Sequence, residues 1–140
     1  MRPKSIIMFE RLFLASILLT ALDAFSGFDE TLARMEQDAA MVSLGWGASV
    51  LVITAVLYIA ALLALVYFIS RRASNIAKWI LALITLLGLS ALPRAFALQS
   101  GTELAVVVVA GLLGLAGVVF LFFPDAREWL GSKPHSHNAE

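Results

Sequence analysis

The chain contains no cysteine, and its only two histidines, His135 and His137, fall near its end. Disulfides, thiolate metal sites and cysteine nucleophiles are therefore excluded, while the redox compartment is left open. No histidine lies in an apolar run, which argues against haem ligation inside a membrane. Charge is scarce as well: ten basic and ten acidic residues make up 14% of the chain and leave a formal net charge of zero. Nothing in that balance points to nucleic acid. No phosphate-binding glycine loop, HExxH zinc motif, nucleophile elbow, kinase signature or dinucleotide fingerprint occurs. The imidazoles of the terminal KPHSHNAE could hold a transition metal only weakly, and a polar tail is the plainer reading. No metal, no cofactor and no enzymatic activity are expected.

What the chain has in quantity is apolar residues, 61% of its 140. So few charges cannot cover a soluble domain of this size. The apolar residues come in long blocks, and about 18 or more in a row suffice to cross a bilayer as a helix. Four spans are read at residues 9–27, 42–70, 76–97 and 104–123. The last is stopped by Pro124-Asp125, since proline cannot continue a helix. The expected fold class is all-α: a polytopic transmembrane four-helix bundle forming one membrane domain over 1–140. An acidic outer loop at 28–41 and a polar C-terminal tail at 124–140 complete it. Met1-Arg2-Pro3-Lys4 ahead of an apolar run has the look of a signal peptide. Glu10 and Arg11 interrupt that run, however, and the cleavage pattern around Leu22-Asp23 is poor. A retained first span is expected.

Basic residues give the direction of threading. Arg2, Lys4, Arg11, Arg71, Arg72, Lys78, Arg127 and Lys133 fall on one side, and only Arg34 and Arg94 on the other. Both termini and the loop carrying Arg71 to Lys78 are thus placed in the cytoplasm. Trp79, Trp129 and Tyr67 at the inner edge and Trp46 at the outer edge suit an interfacial aromatic belt. Tyr58 falls near mid-span, where its hydroxyl should seek a partner inside the bundle. In the outer loop, Phe28, Leu32, Met35 and Ala39 share one helical face, as in a solvated amphipathic connector.

Small residues let membrane helices approach closely. Ala110, Gly111, Gly114 and Gly117 form such a face on the fourth span, serving internal packing or a homodimer seam. Ser43, Gly45 and Gly47 loosen the outer start of the second span.

The charges inside the spans are the candidate functional residues. At helical rise, Asp23 lies roughly 20 Å beyond Glu10, and Arg94 roughly 20 Å beyond Trp79, so both reach the outer leaflet on parallel helices. Each charge alone is costly, about 2.5–3.5 kcal/mol near a helix centre, and pairing them is the cheapest arrangement. Pro93 breaks the third span beside Arg94. Thr20 and Ser26 flank Asp23 on its face, and Gln99, Ser100, Thr102 and Glu103 follow the break. Asp23 and Arg94 are therefore read as an intramembrane polar pair, structural or part of a substrate or ion site. At the inner edge, Glu10 could bridge to Arg72 or to Lys78.

Three stretches carry a family resemblance: Arg2 to Ile6 with Phe9-Glu10-Arg11-Leu12; Arg71-Arg72-Ala73-Ser74-Asn75 with Ala77-Lys78-Trp79-Ile80; and Leu121 to Trp129, LFFPDAREW. They resemble a family of small, uncharacterised four-span bacterial inner-membrane proteins, a domain of unknown function. The resemblance covers most of the chain, except the acidic loop and the His tail. It implies a bacterial inner membrane and assigns no activity to any residue.

The role expected is non-enzymatic: an accessory or scaffold subunit, or an envelope protein. Its partners are the lipid bilayer and either a larger membrane complex or a second copy. The alternative is a small transporter or channel with its polar site around Asp23 and Arg94. Small multidrug exporters also have four short spans and an acid in the first. The strong basic bias here argues against insertion in both orientations. A third reading is a sensor, with the acidic loop detecting a cation.

Overall fold

The computed structural model describes residues 3–98 and 101–131, without the side chains of Arg94, Ala97 and Leu98. Arg2, Gln99, Ser100, Lys133, His135 and His137 lie outside the described residues. All regular structure among the described residues is helical, in the order α1 (Lys4–Ser26), α2 (Phe28–Gln37), α3 (Ala39–Ser43), α4 (Ala48–Arg72), α5 (Asn75–Ser90), α6 (Leu92–Leu98), α7 (Gly101–Phe120) and α8 (Pro124–Gly131). Of these, α1, α4 and α7 are long and apolar enough to cross a membrane.

The four long apolar segments lie side by side with alternating direction. Phe13 meets Gly117 while Ser16 meets Gly114, so α1 and α7 run oppositely. Trp79 stacks edge-on against Phe122 and Leu89 lies against Gly111, so α5 and α7 run oppositely too. Glu10 shares a recess with Ser70 and Arg71, and Thr20 a cleft with Tyr58, which sets α4 against α1 in the same way.

Several boundaries differ from the sequence reading, each for a local reason. The helix of the segment read as the second span begins at Ala48 rather than at residue 42. Leu44 to Gly47 form a turn, with Gly45 at φ +69, a conformation that favours glycine. The acidic loop is itself helical over α2 and α3. Phe28, Leu32 and Met35 are the half-buried residues of α2, while Ala39 is exposed. The segment read as the third span is two helices. α5 has 16 residues, about 24 Å of helix, and breaks at Ala91. There the Ala91 N–H turns back to the Gly88 carbonyl at 3.1 Å, and Pro93 then sits in the first turn of α6, where its missing N–H is tolerated.

The helix of the segment read as the fourth span, α7, ends at Phe120, before Pro124 rather than at it, and Pro124 opens the next helix. Residues 124–131 are therefore not part of a tail: α8 buries Ala126 and Leu130 against the other helices. Its position is fixed electrostatically as well. Pro3, the N-cap of α1, offers no side-chain oxygen to the free N–H groups behind it. Asp125 supplies one instead: the Ser5 N–H donates to Asp125 Oδ2 at 3.3 Å. A carboxylate at the positive end of a helix is the favourable arrangement.

The packed core sits at one end. Ile6 and Phe9 of α1, Ile69 of α4, Leu81 of α5 and Leu121 after α7 are fully enclosed, with Ala126 of α8 beneath them. Towards the other end burial declines, and no residue of α4 before Leu62 is buried.

Candidate functional site

The α1–α7 contact is made by missing side chains. At Gly117 a Cβ would stand in contact, 3.4 Å from the Phe13 backbone N and Cβ, so a side chain that reaches past its Cβ there presses on Phe13. At Gly114 a Cβ would come within 3.2 Å of Ser16 Oγ. That space lets the Ser16 hydroxyl donate across the interface to the Ala110 carbonyl at 2.7 Å. Ala110, Gly114 and Gly117 are buried on this side, and Gly111 turns towards Leu89 of α5. The small-residue face therefore holds α7 against both α1 and α5.

Beyond Gly114 the helices part. A cleft of about 260 Å³ opens between α1, α4, α5 and α7. Most of its wall is apolar, including Phe13, Ile17, Leu62, Ile84 and Val107. Its polar lining is a stripe of α1, Ser16, Thr20 and Asp23, faced by Thr85 of α5 and Tyr58 of α4. Spacings of four and three residues put the α1 groups on one face. Thr20 donates to the Ser16 carbonyl at 3.0 Å and Thr85 to the Leu81 carbonyl at 2.9 Å. The protons of Ser16, Thr20 and Thr85 are thus committed to backbone, and their remaining capacity is to accept. With the Asp23 carboxylate, the cleft offers mainly acceptors. Tyr58 is half exposed along this wall, not enclosed in a packed bundle as its mid-span position suggested.

Asp23 also lines a smaller recess at the cleft mouth with Glu30, Arg34 and Glu103. Arg34 pairs with Glu30 at 2.6 Å, one turn away on α2. The Arg94 side chain lies outside the described residues. Its helix, α6, contributes Leu92 to the cleft wall, so the backbone carries Arg94 close to the same end. At the opposite end Glu10 lines a recess between α1 and α4 with Tyr67, Ser70 and Arg71; Arg72, the partner read from sequence, does not line it. No group of three or more potential metal ligands occurs among the described residues.

Two contributors were not singled out from sequence. Ser16 continues the Thr20–Asp23 stripe by one helical turn, and that periodicity was available. The Asp125 contact with Ser5 joins residues 120 apart and had no local signal. The Ser5 side chain and backbone N–H together hold the Asp125 carboxyl below its ordinary range.

No family model matches the chain, and neither curated proteins nor solved structures yielded a match.

Proposed function

We propose that this chain is a four-span integral protein of a bacterial inner membrane with both termini in the cytoplasm, acting without catalysis as an accessory or scaffold subunit of a larger membrane assembly. Three helices of membrane-spanning length support the membrane reading, with α5 and α6 together supplying the fourth pass. The basic residues of the packed end support the orientation.

The observation that carries the accessory role is the coverage of α4. It is the longest helix among the described residues, apolar along nearly its whole length, and fully buries only Leu62, Val66, Ile69 and Ser70, with Ile59 and Leu65 partly covered beside them. Val52, Ile53, Val56 and Leu57 are each about half exposed or more. That surface, continuous with the cleft, suits another membrane helix as well as it suits lipid tails. Purification of the tagged native protein in mild detergent, with mass determination of what accompanies it, tests the proposal. A defined complex supports it; a lone monomer or dimer contradicts it.

The cleft itself favours a second reading, a small transporter or channel. Its acceptor groups and single carboxylate fit a ligand with hydrogen-bond donors or positive charge. On this reading the protein alone moves solute in liposomes, and Asp23→Asn abolishes flux without unfolding the chain. Unchanged flux in that variant rules it out.

A further inference from the structure

Away from the cleft, the packed end holds a cation, Lys78, that forms no ion pair among the described residues. Lys78 is only 6% exposed, although it stands in the first turn of α5, where the helix dipole already presents positive potential. That turn contains no acidic residue. The Lys78 ammonium lies 4.7 Å from the Phe122 ring centroid and 5.4 Å from that of Trp79, and the two rings pack edge to face. Cation–π contact orients the ammonium but does not neutralise it.

A second positive group, Arg127 of α8, stands at the same corner: its backbone N–H donates to the Phe123 carbonyl at 2.9 Å, next to the Phe122 ring on which Lys78 rests. Of the two acids on α8, Asp125 is turned to Ser5, and Glu128 is exposed and makes no ion pair among the described residues. Arg71 and Arg72 end the helix immediately before this turn. Trp79, Phe122 and Phe123 expose apolar surface beside the charges, with Trp79 the most open at 60%. Two cations, a helix N-terminus and an exposed aromatic rim lack only an anion with an apolar tail.

We propose that Lys78 and Arg127 bind the phosphodiester of an anionic phospholipid, whose acyl chain lies along Trp79 and Phe122. The proposal rests on the membrane reading above and not on the cleft or the accessory role. It differs from general attraction of basic loops to an anionic surface: Lys78 is held in place by two rings and the site is local. Basic pockets between membrane helices are a known form of lipid headgroup site.

The test uses the full chain with Trp46→Phe and Trp129→Phe, leaving Trp79 as the single reporter. The protein is placed in phosphatidylcholine vesicles containing an equal small fraction of bromine-labelled phosphatidylglycerol or bromine-labelled phosphatidylcholine. Expected is a preference of the Trp79 site for the anionic lipid of about thirtyfold, read as more efficient quenching, the factor given by about 1 kcal/mol for each of the two basic residues. Arg127→Gln should reduce that preference and Lys78→Gln remove it, while Lys78→Arg retains it even if the glutamine variant does not fold. Equal quenching by the two lipids overturns the proposal, as does a preference that survives Arg127→Gln undiminished. A thermal shift with inorganic phosphate in detergent, without any lipid preference, overturns it in favour of a free-phosphate site. Flotation with the vesicles separates the two readings. A chain that does not float contradicts the membrane assignment, whereas one that floats and shows no preference contradicts only the lipid site.

Discussion

The two ends of this molecule are built from the same helices and are not alike. At one end α1, α4, α5, α7 and α8 converge on Phe9, Ile69, Leu81 and Leu121, which they enclose, with a recess beside Glu10 and Arg71 on the α1–α4 side. At the other, α4 and α5 draw away from the α1–α7 pair and leave a cleft with Asp23 towards its mouth. The hinge between the regimes is the small-residue face of α7. Gly117 presses against α1 outside the cleft, whereas Gly114, against Ser16, and Gly111, against Leu89, lie in the cleft wall. Membrane helices gain little from expelling water and depend on close contact. Where side chains interlock, the helices stay together; where they stop interlocking, polar groups gather. The closed end supports the cleft of the open end, and carries its own charged corner at Lys78.

The largest expected effect that sharpens this contrast comes from deleting one enclosed ring. Phe9→Ala should destabilise the detergent-solubilised protein by about 3 kcal/mol or more, the cost of a large cavity. Val56→Ala on the uncovered stretch of α4 should stay within about 0.5 kcal/mol. Equal losses in thermal unfolding would mean that the open end is packed after all.

Overpacking should divide along the same line. Gly117→Leu collides with Phe13 and should cost about 1–3 kcal/mol. Gly88→Leu, at a position with open space where a Cβ would stand, should be tolerated. Unfolding of the two variants in parallel checks it, and a larger loss at Gly88 would reverse the assignment of ends.

A double-mutant cycle on Asp23→Asn and Arg94→Gln asks whether the open end is held by charge. If the two pair, the combined variant should regain much of the loss from either single change, with a coupling of at least about 0.5 kcal/mol. Additive losses would show that Asp23 faces the cleft without that partner.

The smallest effect concerns Asp125. Its carboxyl is held below the ordinary value of 3.8 by the Ser5 side chain and N–H. A depressed folded-state value means that the stabilisation is fully present above the unfolded value and is lost as the pH falls below it. Stability should therefore show a decline below pH 3.8 that Asp125→Asn flattens. An unchanged pH profile in that variant would remove the cap from the account.

How much of this was legible follows from the physics of each feature. Apolar length is a local property, so the helices α1, α4 and α7 could be read directly, though the starts of α1 and α4 were misplaced, at residues 9 and 42 instead of Lys4 and Ala48. The glycine spacing of α7 could be read in the same way, though not the helices it would meet. The break at Ala91 was misplaced by two residues because proline acts on the turn before it. Asp23 stood out because carboxylates inside spans are costly. The openness of the cleft did not, because α4 is apolar all round and carries no polar stripe to say which part of it is covered. The docking of α8 was hidden for the opposite reason: its short polar sequence reads as a tail until the N–H groups of α1 are there to receive Asp125.

The measurement that tests the central claim most directly exploits the missing cysteines. Single cysteines placed at Thr20 and Gly88 in the cleft, and at Ile69 and Leu81 in the packed end, would be treated in native membranes with a charged, membrane-impermeant thiol reagent. That reagent needs water at the thiol, because the thiolate is the reacting form. The account predicts rapid labelling at Thr20 and Gly88 from the outer side and protection at Ile69 and Leu81. Uniform protection at all four positions, or labelling confined to the packed end, would contradict it.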